Sequence, residues 1–238
     1  MSELNRFGQP VGYRVDDWVS ARWPSTQILA GRWCRVAPLD AELHSRDLYA
    51  ANAEDADDRR WTYLPYGPFV DFEAYRVWVE EVAGRRDPLF FAISDSTGYA
   101  AGVAAYQRID LLAGTIEVGH LCFSSRLQGT TAATEAMMLM MRLVFEELGF
   151  RRCEWKCDAL NMPSRRAAER LGFSYEGTFR QATVVKGRNR DTAWFALTDK
   201  DWQTLKPVYE QWLDPSNFNE QGLQRRSLLE LTRMALTQ

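Results

Sequence analysis

Histidine is nearly absent from this 238-residue chain: only His44 and His120 occur, far apart, and Cys34, Cys122, Cys153 and Cys157 form no C-x-x-C pair. Zinc sites draw on closely spaced sets of these two residue types, so no metal is expected. Unpaired cysteines, in a chain that opens MSELNRFGQP without a basic-then-apolar leader, suit reduced thiols and a cytoplasmic location. Apolar runs are short as well. None approaches about 18 residues, so no membrane span is expected. Lysine is confined to positions 156, 186, 200 and 206, and a net charge of −3 with a pI near 5.6 leaves no global basic field to hold a nucleic-acid backbone. The common phosphate loops are missing too: there is no GxxxxGK[ST], and no GxGxxG after a strand with an acidic residue about 20 positions on.

What is present is a hydrophobic content of 46%, enough for a sizeable core, and one stretch in which three signals meet without a break. Ile116, Val118, Leu121 and Phe123 make a short apolar run suited to a buried strand. Residues 124–131 carry turn chemistry. Apolar positions then recur at Ala133, Ala136, Met137, Met140, Val144 and Leu148 with helical spacing, and Gly149 supplies a stop. A strand that delivers the chain through a small-residue loop into a helix start makes an anion site, because the first-turn amides have no helical partners and the helix dipole is positive there. Gly129, Thr130, Thr131, Ala132 and Ala133 are small enough for a pyrophosphate to reach the backbone, and Arg126 and Gln128 add donors. The plainer alternative is a capped crossover helix.

The run Arg126-Leu127-Gln128-Gly129-Thr130-Thr131 resembles the acyl-CoA loop of the GNAT superfamily of N-acetyltransferases, [RQ]-x-x-G-x-[GA], with Thr131 in place of the second small residue. Ala133-Thr134-Glu135-Ala136 is similar to a run in the branch that acetylates ribosomal-protein N-termini. Further on, Asn161-x-x-Ser164 followed by Leu171-Gly172-Phe173 is similar to the second half of the GNAT core. The resemblance implies an α+β fold: a mostly antiparallel, splayed central sheet with flanking helices over residues 29–213, preceded by an arm at 1–28 and followed by a helical extension at 214–238.

Residue patterns along the chain can be placed on this plan. Residues 29–39 read as a first strand, and Asp40 as the N-cap of a helix over 41–53. The acidic run at 54–58 is a solvated loop or a collar for a cationic substrate. The aromatic stretch 61–68, similar in wording to the substrate-side loop of the branch, is a small core or a pocket wall. A helix follows over 71–83, then strands at 89–93, 99–107 and 115–123 as an antiparallel meander. A strand over 151–157 points Cys153, Trp155 and Cys157 to one face. Asn161 opens a short helix that Gly172 ends, and strands at 179–185 and 193–197 form a hairpin. Asp199 caps a helix that Pro207 bends or shortens. Trp18 and Trp23 in the arm, and Leu223, Leu228, Leu231 and Met234 in the extension, are apolar surfaces that need cover, as an acceptor-side lid or by exchange in a homodimer.

The resemblance further implies acetyl-CoA as co-substrate, its pantetheine arm pairing like an added strand near Cys122 and Phe123. Its pyrophosphate would lie on the amides from Gln128 to Ala132, with Asn161 hydrogen-bonding the pantetheine amide. The acceptor would be an amine, of a small molecule or a protein N-terminus. Glu117 is the carboxylate nearest the splay and would take the ammonium proton through a water; its plainer role is an outward-facing strand residue. His120 is the competing base. Many relatives hold a tyrosine at the place of Ala168 to protonate the leaving thiolate. Ser164 is the substitute here, and both Asn161 and Ser164 also suit helix capping. The hairpin glutamate of some branch members is replaced by Thr183. Two other classes stay open: a non-catalytic acyl-CoA sensor or interaction module on the same fold, and a cysteine hydrolase built on Cys122 with His120.

Overall fold

The computed structural model describes residues 2–55 and 57–237; Ala56 of the acidic run and the two terminal residues lie outside the described residues. The chain opens with a small hairpin, β1 (Ser2–Leu4) and β2 (Pro10–Gly12), which the sequence pattern had not suggested. Its turn is held by Asn5, whose side chain accepts from the amides of Phe7 and Gln9.

The main sheet comprises β3 (Leu29–Ala30), β4 (Cys34–Pro38), β5 (Leu89–Asp95), β6 (Ala100–Asp110), β7 (Thr115–Phe123), β8 (Arg152–Asp158), β9 (Ser174–Val185) and β10 (Arg188–Thr198). Its order is β3-β4-β5-β6-β7-β8-β10-β9, and every neighbouring pair is antiparallel except β7 with β8. The fold is therefore mixed α+β with a large, mostly antiparallel sheet, as expected. Helices α1 (Ala41–Ala53) and α2 (Phe72–Ala83) cover one face. On the other lie α3 (Thr131–Arg142) and α5 (Asp199–Leu213), with α4 (Met162–Arg170) beside β8 and β9 and α6 (Leu228–Leu236) packed on α5.

Alternation along the strands explains the two cores. Phe90 and Ala92 of β5 join the cluster under α1 and α2, whereas Phe91 and Ile93 join the one under α3 and α5. Helix starts follow local chemistry: Asp40 and Asp71 are extended and accept from the amides of Leu43 and Ala74, each at 2.8 Å. At α5 the cap is Thr198 rather than Asp199. Its hydroxyl accepts from Asp201 N while Asp201 accepts from Thr198 N, a reciprocal box. The helix also runs through Pro207 to Leu213 without being cut short. Helix α3 ends in one wide turn, Leu143–Glu147, before Gly149 reverses the chain at φ +75°.

The expected single strand at 29–39 is split into β3 and β4, and the cause lies about a hundred residues away. The buried carboxylate of Glu135 on α3 accepts from the amides of Arg32 (2.8 Å), Trp33 (2.6 Å) and Cys34 (2.9 Å). Three donors taken by one carboxylate leave none of them for a strand ladder. Gly31 lets the two approach, since a Cβ there would lie 2.2 Å from Glu135 Oε2.

The terminal segments pack on the chain itself. Trp18 donates to Leu112 O at 3.0 Å, Ala21 N to Leu111 O and Arg22 N to Leu148 O, so the arm covers the sheet end that carries the β6–β7 turn, away from the 124–130 loop. Of the extension's apolar stripe, Leu228 and Leu231 are buried, while Leu223 and Met234 are exposed. Phe218 sets its ring edge on Trp212, and Trp212 donates to Gln224 at 2.9 Å.

Replacing Glu135 by Ala strands three backbone donors at once. At about 1–3 kcal/mol for each unsatisfied buried group, Glu135→Ala is expected to lower unfolding free energy by at least roughly 3 kcal/mol, read as a shift of the urea midpoint. A shift within error would remove the clamp from the list of stabilising contacts.

Candidate active site

The parallel pairing of β7 with β8 covers only Thr115–Glu117 against Arg152–Glu154. Beyond it the strands diverge, and the fork opens into a cleft of ≈ 340 Å³ lined from β7, β8, the α1–α2 connection, the start of α4 and the β9–β10 hairpin. Two bulges shape the fork. Arg108 on β6 and His120 on β7 both take left-handed backbone angles, φ 51° each, at register shifts of the β6–β7 ladder. The bulge at His120 inserts one extra residue. Val118 therefore belongs to the core under α3, whereas Cys122, also even-numbered, belongs to the core under α1 and α2.

Glu117 is the last residue of β7 paired with β8, and only 2% of it is exposed. It accepts from Gln107 Nε2 at 2.7 Å and from Arg108 Nη1 at 2.7 Å, and lies 3.1 Å from Lys156 Nζ. Burial raises its pKa above the ordinary glutamate range, opposed by Arg108 and Lys156. Gly119 makes room for this arrangement: a Cβ there would come 2.2 Å from Gln107 Nε2. Lys156 continues the chain of charges to Glu154 (2.7 Å), which Arg152 joins to Glu176. The plainer expectation of an outward-facing strand residue does not hold for Glu117. Its side chain is inside, at the floor of the fork.

His120 stacks on Tyr66 at 5.7 Å and contacts Phe90, with its Nδ1 buried and without a partner among the described residues. Burial and the charges of Arg108, Arg85 and Arg190 hold its pKa down to about 4. Burial pushes the Cys122 thiol up to about 12. Cys122 lies in the core under α1 and α2 and does not line the cleft, so the arrangement does not favour it as the nucleophile of a cysteine hydrolase. The aromatic stretch at 61–68 turns out to be both core and wall: Trp61 is buried among Tyr66 and Phe69, while Tyr63, Leu64 and Pro65 line the cleft.

In the loop before α3, Gly129 is left-handed at φ +73°, and a Cβ there would meet nothing within 4 Å. Thr130 caps the helix, its hydroxyl accepting from Ala133 N at 3.1 Å. The amides of Gly129, Thr131 and Ala132 have no partner among the described residues. Both side chains read as added donors are engaged within the chain. Arg126 pairs with Glu54 at 2.7 Å and lies over Tyr99, and Gln128 donates to Phe123 O at 2.7 Å. Ser124 N donates to Ala101 O, so by alternation the backbone groups of Cys122 also face β6 and those of Phe123 face the fork. The open edge expected at both residues is therefore carried by Phe123 alone.

Across the fork, Asn161 caps α4 by accepting from Ser164 N at 3.2 Å, and Ser164 Oγ accepts from Trp155 Nε1 at 3.0 Å and faces the Cys157 thiol. Ala168 is fully buried in the core, and Thr183 lines the hairpin side of the cleft. The acidic run is exposed at Glu54, Asp57 and Asp58, as a solvated loop would be, and Glu54, Asp55 and Asp57 pair with Arg126, Arg60 and Arg59. Sequence reading missed the cations of the cleft: Arg60, Arg108, Lys156 and Arg190. A partial signal existed for Lys156, which period two places opposite Cys153, Trp155 and Cys157. The others converge only through tertiary register.

Comparison with known proteins is consistent with this geometry. Residues 35–174 match the family model described as an acetyltransferase (GNAT) domain. A solved GCN5-related N-acetyltransferase from Brucella melitensis is 43% identical, with a TM-score of 0.90, covering 92% of this chain and 100% of that one. A probable GNAT-family acetyltransferase from Chromobacterium violaceum is 39% identical, with a TM-score of 0.76, covering 82% and 98%. A Bacillus subtilis protein named "Putative ribosomal N-acetyltransferase YdaF" is 25% identical over 158 residues, covering 66% of this chain and 79% of that protein.

Because the folded chain keeps His120 neutral while an unfolded chain binds a proton near pH 6.5, stability is expected to fall as pH drops from about 6.5 towards about 4. In an NMR titration of the His44→Gln variant, the remaining imidazole is expected to show its midpoint near pH 4. A midpoint at the ordinary histidine value would mean that the ring is solvated.

Proposed function

The chain belongs to the GNAT acetyltransferases and is an acetyl-CoA-dependent N-acetyltransferase; from that premise we propose that it acetylates a primary amine held in the fork cleft, by direct attack in a ternary complex. The observation that carries this reading is the buried carboxylate of Glu117, its pKa raised, at the point where β7 and β8 part. The loop fits the co-substrate: Gly129 is left-handed with open space around it, and three neighbouring amides are unpartnered. These amides would hold the pyrophosphate. Arg126 would reach it on leaving Glu54, and the open backbone of Phe123 would align the pantetheine arm once Gln128 releases its carbonyl. Acetyl-CoA, when bound, supplies the acetyl group as a thioester.

Glu117 accepts a proton from the acceptor's ammonium through a water. The freed amine forms its bond to the acetyl carbon as the carbon–sulfur bond breaks, and the second amine proton leaves to solvent. Ser164, its oxygen held by Trp155, donates a hydrogen bond to the departing sulfur. A thiolate with an ordinary pKa near 8.5 needs little more, which is why the buried Ala168 in place of a tyrosine is compatible with turnover. His120, with a pKa of about 4, is a poor base at neutral pH. As for the acceptor, the name of the Bacillus subtilis relative supports a protein N-terminus, and the cleft's size also admits a small amine.

Acetyl-CoA is expected to raise the melting temperature by mass action, and Gly129→Glu to abolish the rise by crowding and repelling the pyrophosphate. An unchanged shift in that variant would take the loop out of the site.

Glu117→Gln is expected to lower turnover at least roughly tenfold, most at pH values where the acceptor amine is protonated, with acetyl-CoA affinity nearly intact. In the parent enzyme, the acid limb of the rate profile should lie above the ordinary glutamate range, because the base must be ionised and its pKa is raised. Identical pH profiles for the two enzymes would make Glu117 structural.

A further inference from the structure

The charges around the acceptor side of the cleft are unbalanced. Arg60, Arg108, Lys156 and Arg190 line it, against the carboxylates of Glu117 and Asp158, in a chain whose net charge is −3. Most of these groups already have partners. Arg108 and Lys156 hold Glu117, Arg60 pairs with Asp55 and donates to Asn52, and Asp158 accepts from Leu160 N. Of the four cations, Arg190 is the one that makes no ion pair among the described residues; its Nε, like that of Arg60, is buried without a hydrogen-bond partner there.

Arg190 stands on β10 opposite Thr183, on the hairpin that closes the cleft over the fork. The hairpin is pinned in that place by Lys186, whose Nζ donates to Trp61 O at 2.8 Å. The guanidinium charge is felt on both sides of the opening: it helps to hold His120 neutral on β7, and it acts on Cys157 on β8. A cation so placed, with a donor that no described residue satisfies, costs free energy unless a ligand supplies an anion.

We propose that Arg190 recognises a carboxylate on the acceptor, so that the enzyme acetylates amines carrying an acidic group close to the nucleophile and discriminates against polycationic amines. Resting on the amine-acetylation reading above, this narrows the acceptor to one chemical class. A planar guanidinium takes a carboxylate through two parallel hydrogen bonds, which fixes orientation as well as charge. The amine of such an acceptor would be held near Glu117 by the same contact. A polyamine would instead meet Arg60, Arg108 and Arg190 at the entrance. Free amino acids and acidic peptide N-termini share the chemistry, and the test separates them.

The experiment compares acceptor pairs that differ by one carboxylate, alanine with alaninamide and alanyl-aspartate amide with alanyl-asparagine amide, alongside spermidine. For the parent enzyme the acidic member is expected to have the higher kcat/KM by about tenfold or more. In Arg190→Gln the ratio falls towards one through a rise in KM for the acidic member alone; Arg190→Lys keeps part of it, and acetyl-CoA still raises the melting temperature in both. The pair that shows the preference identifies the source, free acid or peptide. Equal rates within both pairs, a preference for spermidine, or an unchanged ratio in Arg190→Gln would overturn the assignment. If no acceptor is acetylated although acetyl-CoA binds, the amine-acetylation reading fails. Calorimetric binding of the same pairs then decides the role of Arg190 alone: tighter binding of the acidic member, lost in Arg190→Gln, supports it, and equal binding refutes it.

Discussion

Everything functional in this molecule depends on a hydrogen-bond ladder that stops early. Strands β7 and β8 pair over three residues and then part, leaving backbone groups that a sheet would ordinarily consume. Such an edge is stable only if something prevents the strands from zipping further. Two features do so here. The bulge at His120 turns the end of β7, and the paired charges of Glu117, Lys156 and Glu154 occupy the crotch of the fork. Removing one member of a buried pair typically costs several kcal/mol, because its partner's charge is left unpaired, so this cluster holds a geometry as well as a proton.

The same economy of carboxylates recurs through the fold. Glu135 takes three amides of the loop before β4 and thereby ties the first strands to the helix that follows the candidate phosphate loop. Asp87 accepts from the amides of Arg108 and Ile109 and supports the first bulge. Glu54 holds Arg126. An acidic chain thus spends many of its carboxylates on its own backbone and arginines, which is how a net charge of −3 coexists with a cleft dominated by cations. Overall charge describes the protein's far field and not the local one that a bound acceptor meets.

The two faces of the sheet divide the labour. Under α3 and α5 lies the larger core, onto which both terminal segments add cover. Under α1 and α2 lies a smaller aromatic core, and Leu64 at its margin joins Tyr63 and Pro65 in one wall of the cleft. Glu117 and His120 face this second side because the register of β7 presents them there.

Much of this was legible in the chain alone. Period-two and helical spacing located the strand over Thr115–Phe123, its loop and the helix after it, because each is a local pattern whose physics is contained in the segment itself. Asp40 marked a helix start for the same reason, and the loop around Gly129 combined with Asn161 and Ser164 pointed to the family. What the chain did not disclose required two distant segments at once. Glu135 splits the first strand from about a hundred residues away. A one-residue bulge switches Cys122 to the opposite core from Val118, and the unpaired Arg190 enters the cleft only when the last hairpin folds across the fork. Local spacing reports the dihedral preferences and burial of one segment; which charges meet, and which remain without a partner, is decided by register and packing between segments, and only the tertiary structure holds that information.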